Sequence, residues 1–228
     1  MSRLAENIDR VKARFAAAAK DHQNVTLVAV SKTRSADEIR AAHLCGLSNF
    51  GENYLQEALP KIQSLGDYPI TWHFIGPIQS NKTKEIAEHF DWAQTVDRLK
   101  IARRLSDQRN ADRRPLQICL QVNIDGEASK SGLSPADVLP LAEQIVALPN
   151  LQLRGLMAIP APQGEYADQF AVCQRMVQLF SKIRNQIADI DTLSLGMSAD
   201  LEAAIASGST MVRIGTDIFG PRNQETKI

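Results

Sequence analysis

Apolar positions follow two rhythms along this chain. Leu4, Ile8, Val11 and Phe15 recur three or four residues apart, with Glu6, Asp9 and Arg10 between them, which predicts an amphipathic helix over residues 2–19. From Val25 onward, short runs rich in Val, Ile and Leu alternate with longer segments of helical period. Eight runs stand out, at 25–31, 48–53, 70–76, 92–96, 116–123, 151–159, 192–197 and 210–215. Strands that alternate with helices predict a parallel sheet covered by helices, and eight such units in 228 residues predict a (β/α)8 TIM barrel with an additional N-terminal helix. The run at 48–53, with Gly51 inside it and few β-branched residues, is placed by the alternation more than by its composition.

Polar residues just after the strand ends support this division. Ser35 with Glu38 spells a capping box, Asn81 and Asp97 are expected N-caps, and Ser134 before Pro135 pairs a cap with a first-turn proline. No Gly/Ser/Pro-rich linker interrupts the series, so residues 1–228 are expected to form one domain, with the barrel over about 25–222. An open doubly wound sheet is the competing architecture. If it bound a dinucleotide it would show GxGxxG after the first strand, where this chain has SKTRSADE.

Charge narrows the range of partners. Lys plus Arg and Asp plus Glu number 26 each, so no net field draws the chain to nucleic acid or to an anionic membrane. Cys45, Cys119 and Cys173 form no CxxC pair and read as small buried apolar residues of a reducing compartment. The charged N-terminus lacks a secretory apolar run, and no segment approaches the ~18 apolar residues of a membrane span, so the expected location is cytoplasmic.

In such a barrel the chemistry sits at the C-terminal ends of the strands. Lys32 ends the first strand, where partial desolvation lowers an amine's pKa and suits it to form a Schiff base with an aldehyde. In LGMSADLEAAIASG, Gly196 and Ser198 open a helix that begins near Asp200, and in MVRIGTDIFG, Gly215 and Thr216 repeat the design. Free backbone N–H groups, a hydroxyl and a helix N-terminus suit an anion, and the loops after strands seven and eight are where barrels often hold phosphate. Each loop alone could be a tight turn with a cap; two in adjacent units point to a cradle. An amine and a phosphate cradle on one rim point to pyridoxal 5′-phosphate. Arg213, if it reaches the pyridine nitrogen, disfavours protonation there; on spacing alone it would pair with Asp200 or Asp217.

The motifs VAVSKT, FGENY, WHFIGPIQSNK, SKSG, RGLMAI, LSLGMSAD and MVRIGTDIFG, in this order over roughly residues 4 to 222, resemble the YggS/PROSC family of pyridoxal phosphate homeostasis proteins. The resemblance implies a barrel of the alanine racemase N-terminal type. It implies Lys32 as the Schiff-base lysine, Asn53, Ser198, Gly215 and Thr216 around the phosphate, and Arg213 by the pyridine nitrogen. Ala199 stands where a more acidic SDD would have aspartate, while Asp200 is kept.

Racemization needs an acid/base group on each face of the substrate carbon, and the alanine racemases add a second domain that supplies a tyrosine. This chain ends soon after its eighth strand, and of Tyr54, Tyr68 and Tyr166 only Tyr54 lies near the mouth, where it is expected to pack beneath the Asn53 turn. Tyr166 reads as part of a loop beyond Pro160 and Pro162. The expectation is therefore a monomer that holds pyridoxal phosphate without turnover, and apo-enzymes that use this cofactor are its natural recipients. A racemase of alanine racemase type, or a sugar-phosphate barrel enzyme forming an imine on Lys32, are the rivals.

Other features are given structural readings. GEASKSG at 126–132 lacks the glycine before lysine that a phosphate loop requires and reads as a mobile loop, in which Lys130 could relay the cofactor. His22, His43, His73 and His89 show no metal-ligand spacing, and His73 reads as a satisfied histidine inside the barrel. Met157 and Met197 read as packing at the mouth, and Gln79 to Lys82 as a helix cap after strand three.

Overall fold

In the computed structural model, which describes residues 2–19, 24–127 and 130–221, eight parallel strands close on themselves in chain order. They are β1 (Thr26–Val30), β2 (Asn49–Glu52), β3 (Thr71–Phe74), β4 (Trp92–Val96), β5 (Leu116–Val122), β6 (Leu151–Ala158), β7 (Thr192–Ser194) and β8 (Met211–Ile214), and β1 pairs with β8. Helix α1 (Arg3–Ala18) precedes the barrel. Then come α2 (Ala36–Leu44), α3 (Leu55–Ser64), α4 (Thr83–His89), α5 (Leu99–Gln108), α6 (Val138–Ile145), α7 (Tyr166–Arg184), α8 (Leu201–Ser207) and α9 (Thr216–Phe219). The barrel and its extra helix are as the alternation predicted.

Two faces of each strand account for two cores. Outward residues such as Phe50, Ile118 and Leu156 pack against helix residues including Ile39, Ile86 and Leu105, all fully buried, each side chain contributing roughly 1.5–3 kcal/mol by leaving water. A smaller cluster of Val28, Trp92, Cys119, Met157 and Met211 fills the barrel. Met157 thus belongs to the interior rather than to the mouth. Of the cysteines, Cys119 and Cys173 are buried, whereas Cys45, the C-cap of α2, is only half-buried.

The weak strand at 48–53 forms, and its glycine has a packing reason. A Cβ on Gly51 would stand 3.0 Å from Ile75 Cδ1 and 3.1 Å from Val28 Cγ1. Gly155 has φ +156°, and a Cβ there would fall 1.7 Å from the Thr192 carbonyl oxygen. It sits beside a register shift in which Ile118 pairs with Leu153 but Cys119 with Gly155, leaving Arg154 as one extra residue in β6.

The capping box is present: Ser35 Oγ accepts from the Glu38 N–H at 3.2 Å and Glu38 Oε2 from the Ser35 N–H at 2.8 Å. Asn81 and Asp97 do not cap. The helices that follow them start at Thr83 and Leu99 without a side-chain cap, because other bonds hold those turns. Thr83 Oγ1 donates to the Ser80 carbonyl, and Arg98 joins Asp97 to the Ile78 carbonyl. Ser134 donates to Asp137 at 2.6 Å in a turn before α6 rather than opening the helix itself. Tyr166 is the first residue of α7, stacked on Phe170, not a loop residue. Among the described residues no helix is long and apolar enough to cross a membrane.

Candidate functional site

The end of β1 is fixed from behind before Lys32 reaches the mouth. Ser31 donates its N–H to the Gly51 carbonyl at 2.9 Å. Its hydroxyl donates to Glu52 Oε1 at 2.6 Å, and its carbonyl accepts from Lys61 Nζ at 3.1 Å. Thr33 adopts a left-handed φ of 64° and gives its N–H to Glu57 Oε2 at 2.8 Å, which turns the chain sharply after Lys32. Ser31, Glu52 and Lys61 are all buried, and burial pushes the Glu52 carboxyl above its ordinary range against the pull of Lys61. This network escaped the sequence reading. Its trace is there, since Lys61 occupies the apolar stripe of α3 between Ala58 and Leu65.

A cavity of about 280 Å³ opens at this end of the barrel, lined by Lys32, Met197, Ser198, Arg213, Gly215 and Thr216 among others. Five of the six residues named from sequence therefore share one space. Asn53, the sixth, lines a second cavity of about 280 Å³ at the same end, with Thr95, Gln121, Asn123 and Lys130. A Cβ on Gly76 would lie 2.1 Å from the Asn53 carbonyl oxygen, so the turns after β2 and β3 touch backbone to backbone. Tyr54 does not pack beneath that turn; half of its surface is exposed, at 50%.

The walls after β7 and β8 carry free donors. Gly196 takes φ +105° and a Cβ there would press to 2.6 Å from Ala204 Cβ, so only glycine lets the chain turn so close to α8. Asp200 turns its carboxylate back to accept the Met197 N–H at 2.7 Å. Among the described residues, the N–H groups of Ser198, Ala199, Thr216 and Asp217 donate no hydrogen bond. Helices α8 and α9 span seven and four residues, so an anion here would be held by these N–H groups and the two hydroxyls rather than by long helix dipoles.

Arg213 makes neither of the ion pairs its spacing suggested. It is 4% exposed and gives Nη1 to Ser194 Oγ at 2.5 Å and Nη2 to the Ala158 carbonyl at 2.9 Å. Behind it a chain of hydrogen bonds descends the barrel. Ser194 donates to Gln94 Oε1 at 2.7 Å, Gln94 Nε2 to His73 Nδ1 at 2.9 Å, and His73 Nε2 to Asn49 Oδ1 at 3.0 Å. Burial lowers Arg213 to about 10, which leaves it cationic at neutral pH, and lowers His73 to about 3, which leaves it neutral. His73 stacks on Trp92 with ring centres 5.3 Å apart, the satisfied interior histidine that the sequence suggested. Gln94 and Ser194 went unread, although polar residues alternating with apolar ones inside a strand are the available signal.

Asp217 pairs instead with Arg14 of α1. Lys130 forms ion pairs with Glu127 at 3.3 Å and Asp125 at 3.6 Å, and residues 128–129 of its loop lie outside the described residues, as does His22. Among the described residues no three metal-ligating side chains converge.

Comparison with known proteins places this architecture. The sequence profile of the alanine racemase N-terminal domain matches residues 1–223. The pyridoxal phosphate homeostasis protein of Pseudomonas aeruginosa is 58% identical over 227 residues, 98% of this chain and 97% of that protein. The structure of PipY from Synechococcus elongatus with pyridoxal phosphate bound is 34% identical, superposes with a TM-score of 0.84, and is matched over 96% of this chain and all of that one. Alanine racemase of Clostridium difficile, 10% identical with a TM-score of 0.78, shares the fold, and this chain spans 58% of its length. The chain thus belongs to the alanine racemase N-terminal domain family and, within it, to the pyridoxal phosphate homeostasis proteins.

Proposed function

We propose that this protein binds pyridoxal 5′-phosphate at the cavity beside Lys32 and keeps it in reserve without turning over a substrate. The observation that carries the reading is the meeting of one lysine, one buried arginine and two loops of unused N–H donors in a single space of about 280 Å³. That size is near the lower end of the roughly 300–1,000 Å³ of small-ligand pockets, as suits a compact ligand. When bound, the cofactor supplies an aldehyde able to condense with an amine. Lys32 is the amine in reach, and Ser198, Gly215 and Thr216 surround the phosphate position, with Asn53 contributing from the next cavity. The groups differ in kind as the ligand does: a nucleophile at one wall, hydroxyls and N–H groups at another, a fixed cation between them.

Retention without turnover is supported by the same residues. Arg213 keeps its proton and its charge, and a cation placed at the pyridine nitrogen disfavours a second proton there, so the ring draws electrons weakly. Tyr54 is half exposed and no carboxylate lines the cavity beside Lys32, so a second acid/base group is missing from the described walls. The names of the relatives, homeostasis proteins rather than enzymes, agree with this role. We take the protein to be a cytoplasmic monomer that yields its cofactor to enzymes lacking it.

Incubation with pyridoxal phosphate followed by borohydride reduction tests the reading. The expected result is a mass increase located on Lys32, lost in Lys32→Ala, with no consumption of D- or L-alanine before reduction. Label elsewhere, or steady conversion of one alanine enantiomer, would overturn it.

A further inference from the structure

Arg14, on the fourth turn of α1, lies outside the cavity yet grips both loops that wall it. Its Nε and Nη2 donate to the two carboxylate oxygens of Glu202 at 2.6 and 2.8 Å, a bidentate fork. Nη2 also donates to the Ser198 carbonyl at 3.0 Å, and Nη1 donates to Asp217. Glu202 is in the first turn of α8 and Asp217 in the first turn of α9, so one guanidinium joins the loop after β7 to the loop after β8. Nearby, Asn7 of the same helix donates to the Ile218 carbonyl at 3.0 Å.

Two consequences follow. Holding the Ser198 carbonyl outward turns the Ala199 N–H of the same peptide the opposite way, and among the described residues that N–H has no acceptor. And the carboxylates of Glu202 and Asp217, which stand behind an anion cradle and would repel a phosphate, are partly offset by the one cation between them. Resting on the pyridoxal phosphate reading of the cavity, we infer that Arg14 is a positioning residue that sets the protein's preference for the phosphorylated cofactor over unphosphorylated pyridoxal. It touches neither ligand and acts through the two loops it joins.

The test is equilibrium dialysis of pyridoxal phosphate and of pyridoxal, each against wild type, Arg14→Met and Arg14→Lys. Arg14→Met should weaken pyridoxal phosphate about tenfold, the scale of one strong coupling between distant groups, and pyridoxal less than about twofold. Arg14→Lys keeps the charge but cannot fork to three partners, and should fall between. Equal weakening of both compounds, or no change in either, would overturn the role of Arg14. If Arg14→Met does not fold, Arg14→Lys decides: a selective loss for the phosphorylated compound supports the role and a uniform effect refutes it. Wild-type protein that binds neither compound would instead overturn the cofactor reading, and this inference with it.

Discussion

Lys61 donates to both carboxylate oxygens of Glu52, the residue before Asn53, at 2.9 and 3.1 Å, and to the carbonyl of Ser31, the residue before Lys32. Breaking a buried ion pair from one side leaves the other charge without compensation. Lys61→Met should therefore cost about 3–5 kcal/mol, while the Lys61→Met, Glu52→Gln double variant should recover much of that loss. Urea denaturation of the three proteins measures it; a single variant as stable as wild type would show that the pair does not hold the strand end.

His73 gives a pH signature. The unfolded chain takes a proton on this residue near pH 6.5, whereas the folded protein refuses it until about pH 3. The stabilisation is complete above pH 6.5 and drains away as the pH falls toward 3, at about 1.4 kcal/mol per pH unit. Between pH 7 and 5 wild type should lose roughly 2 kcal/mol more than His73→Gln, read from urea midpoints at the two pH values. Parallel losses in both proteins would place the protonation elsewhere.

The thiols should separate by reactivity. Burial pushes both Cys119 and Cys173 up to about 12, so neither supplies thiolate near neutrality. With a thiol-disulfide reagent at pH 7.5 the native protein should release about one equivalent quickly, from half-buried Cys45, and none in Cys45→Ser until denaturant is added. Rapid release of three equivalents from native protein would contradict the packing.

Gly76 joins fold to site. Because a Cβ there would lie 2.1 Å from the Asn53 carbonyl, Gly76→Ala must move the turn after β2. The variant is expected to fold with a lower melting temperature and to bind pyridoxal phosphate several-fold more weakly than wild type, whereas Gly164→Ala, with open space around it, should change neither. Calorimetry and dialysis report the two effects separately.

Most of the barrel was legible because each βα unit writes its own local pattern: apolar runs for strands, helical spacing between them, glycines at the rim. Lys32, Ser198, Arg213, Gly215 and Thr216 could be named because strand ends are where a barrel gathers its chemistry. What stayed hidden was pairing across distance. Nothing local links Arg213 to Ser194, or Arg14 to Glu202 and Asp217, some 190 to 200 residues on. Near neighbours in sequence also misled: Asp217 suited Arg213 on spacing but meets Arg14, and Asn81 and Asp97 suited caps whose work is done by Thr83 and Arg98.

The line of hydrogen bonds from Arg213 through Ser194, Gln94 and His73 to Asn49 runs in one sense throughout, each member giving to the next. Passing a proton up that line would require every hydroxyl, amide and imidazole to reverse, and a guanidinium at the top to accept what it already holds. This line of side chains therefore offers no path that would carry a proton up from Asn49 to Arg213.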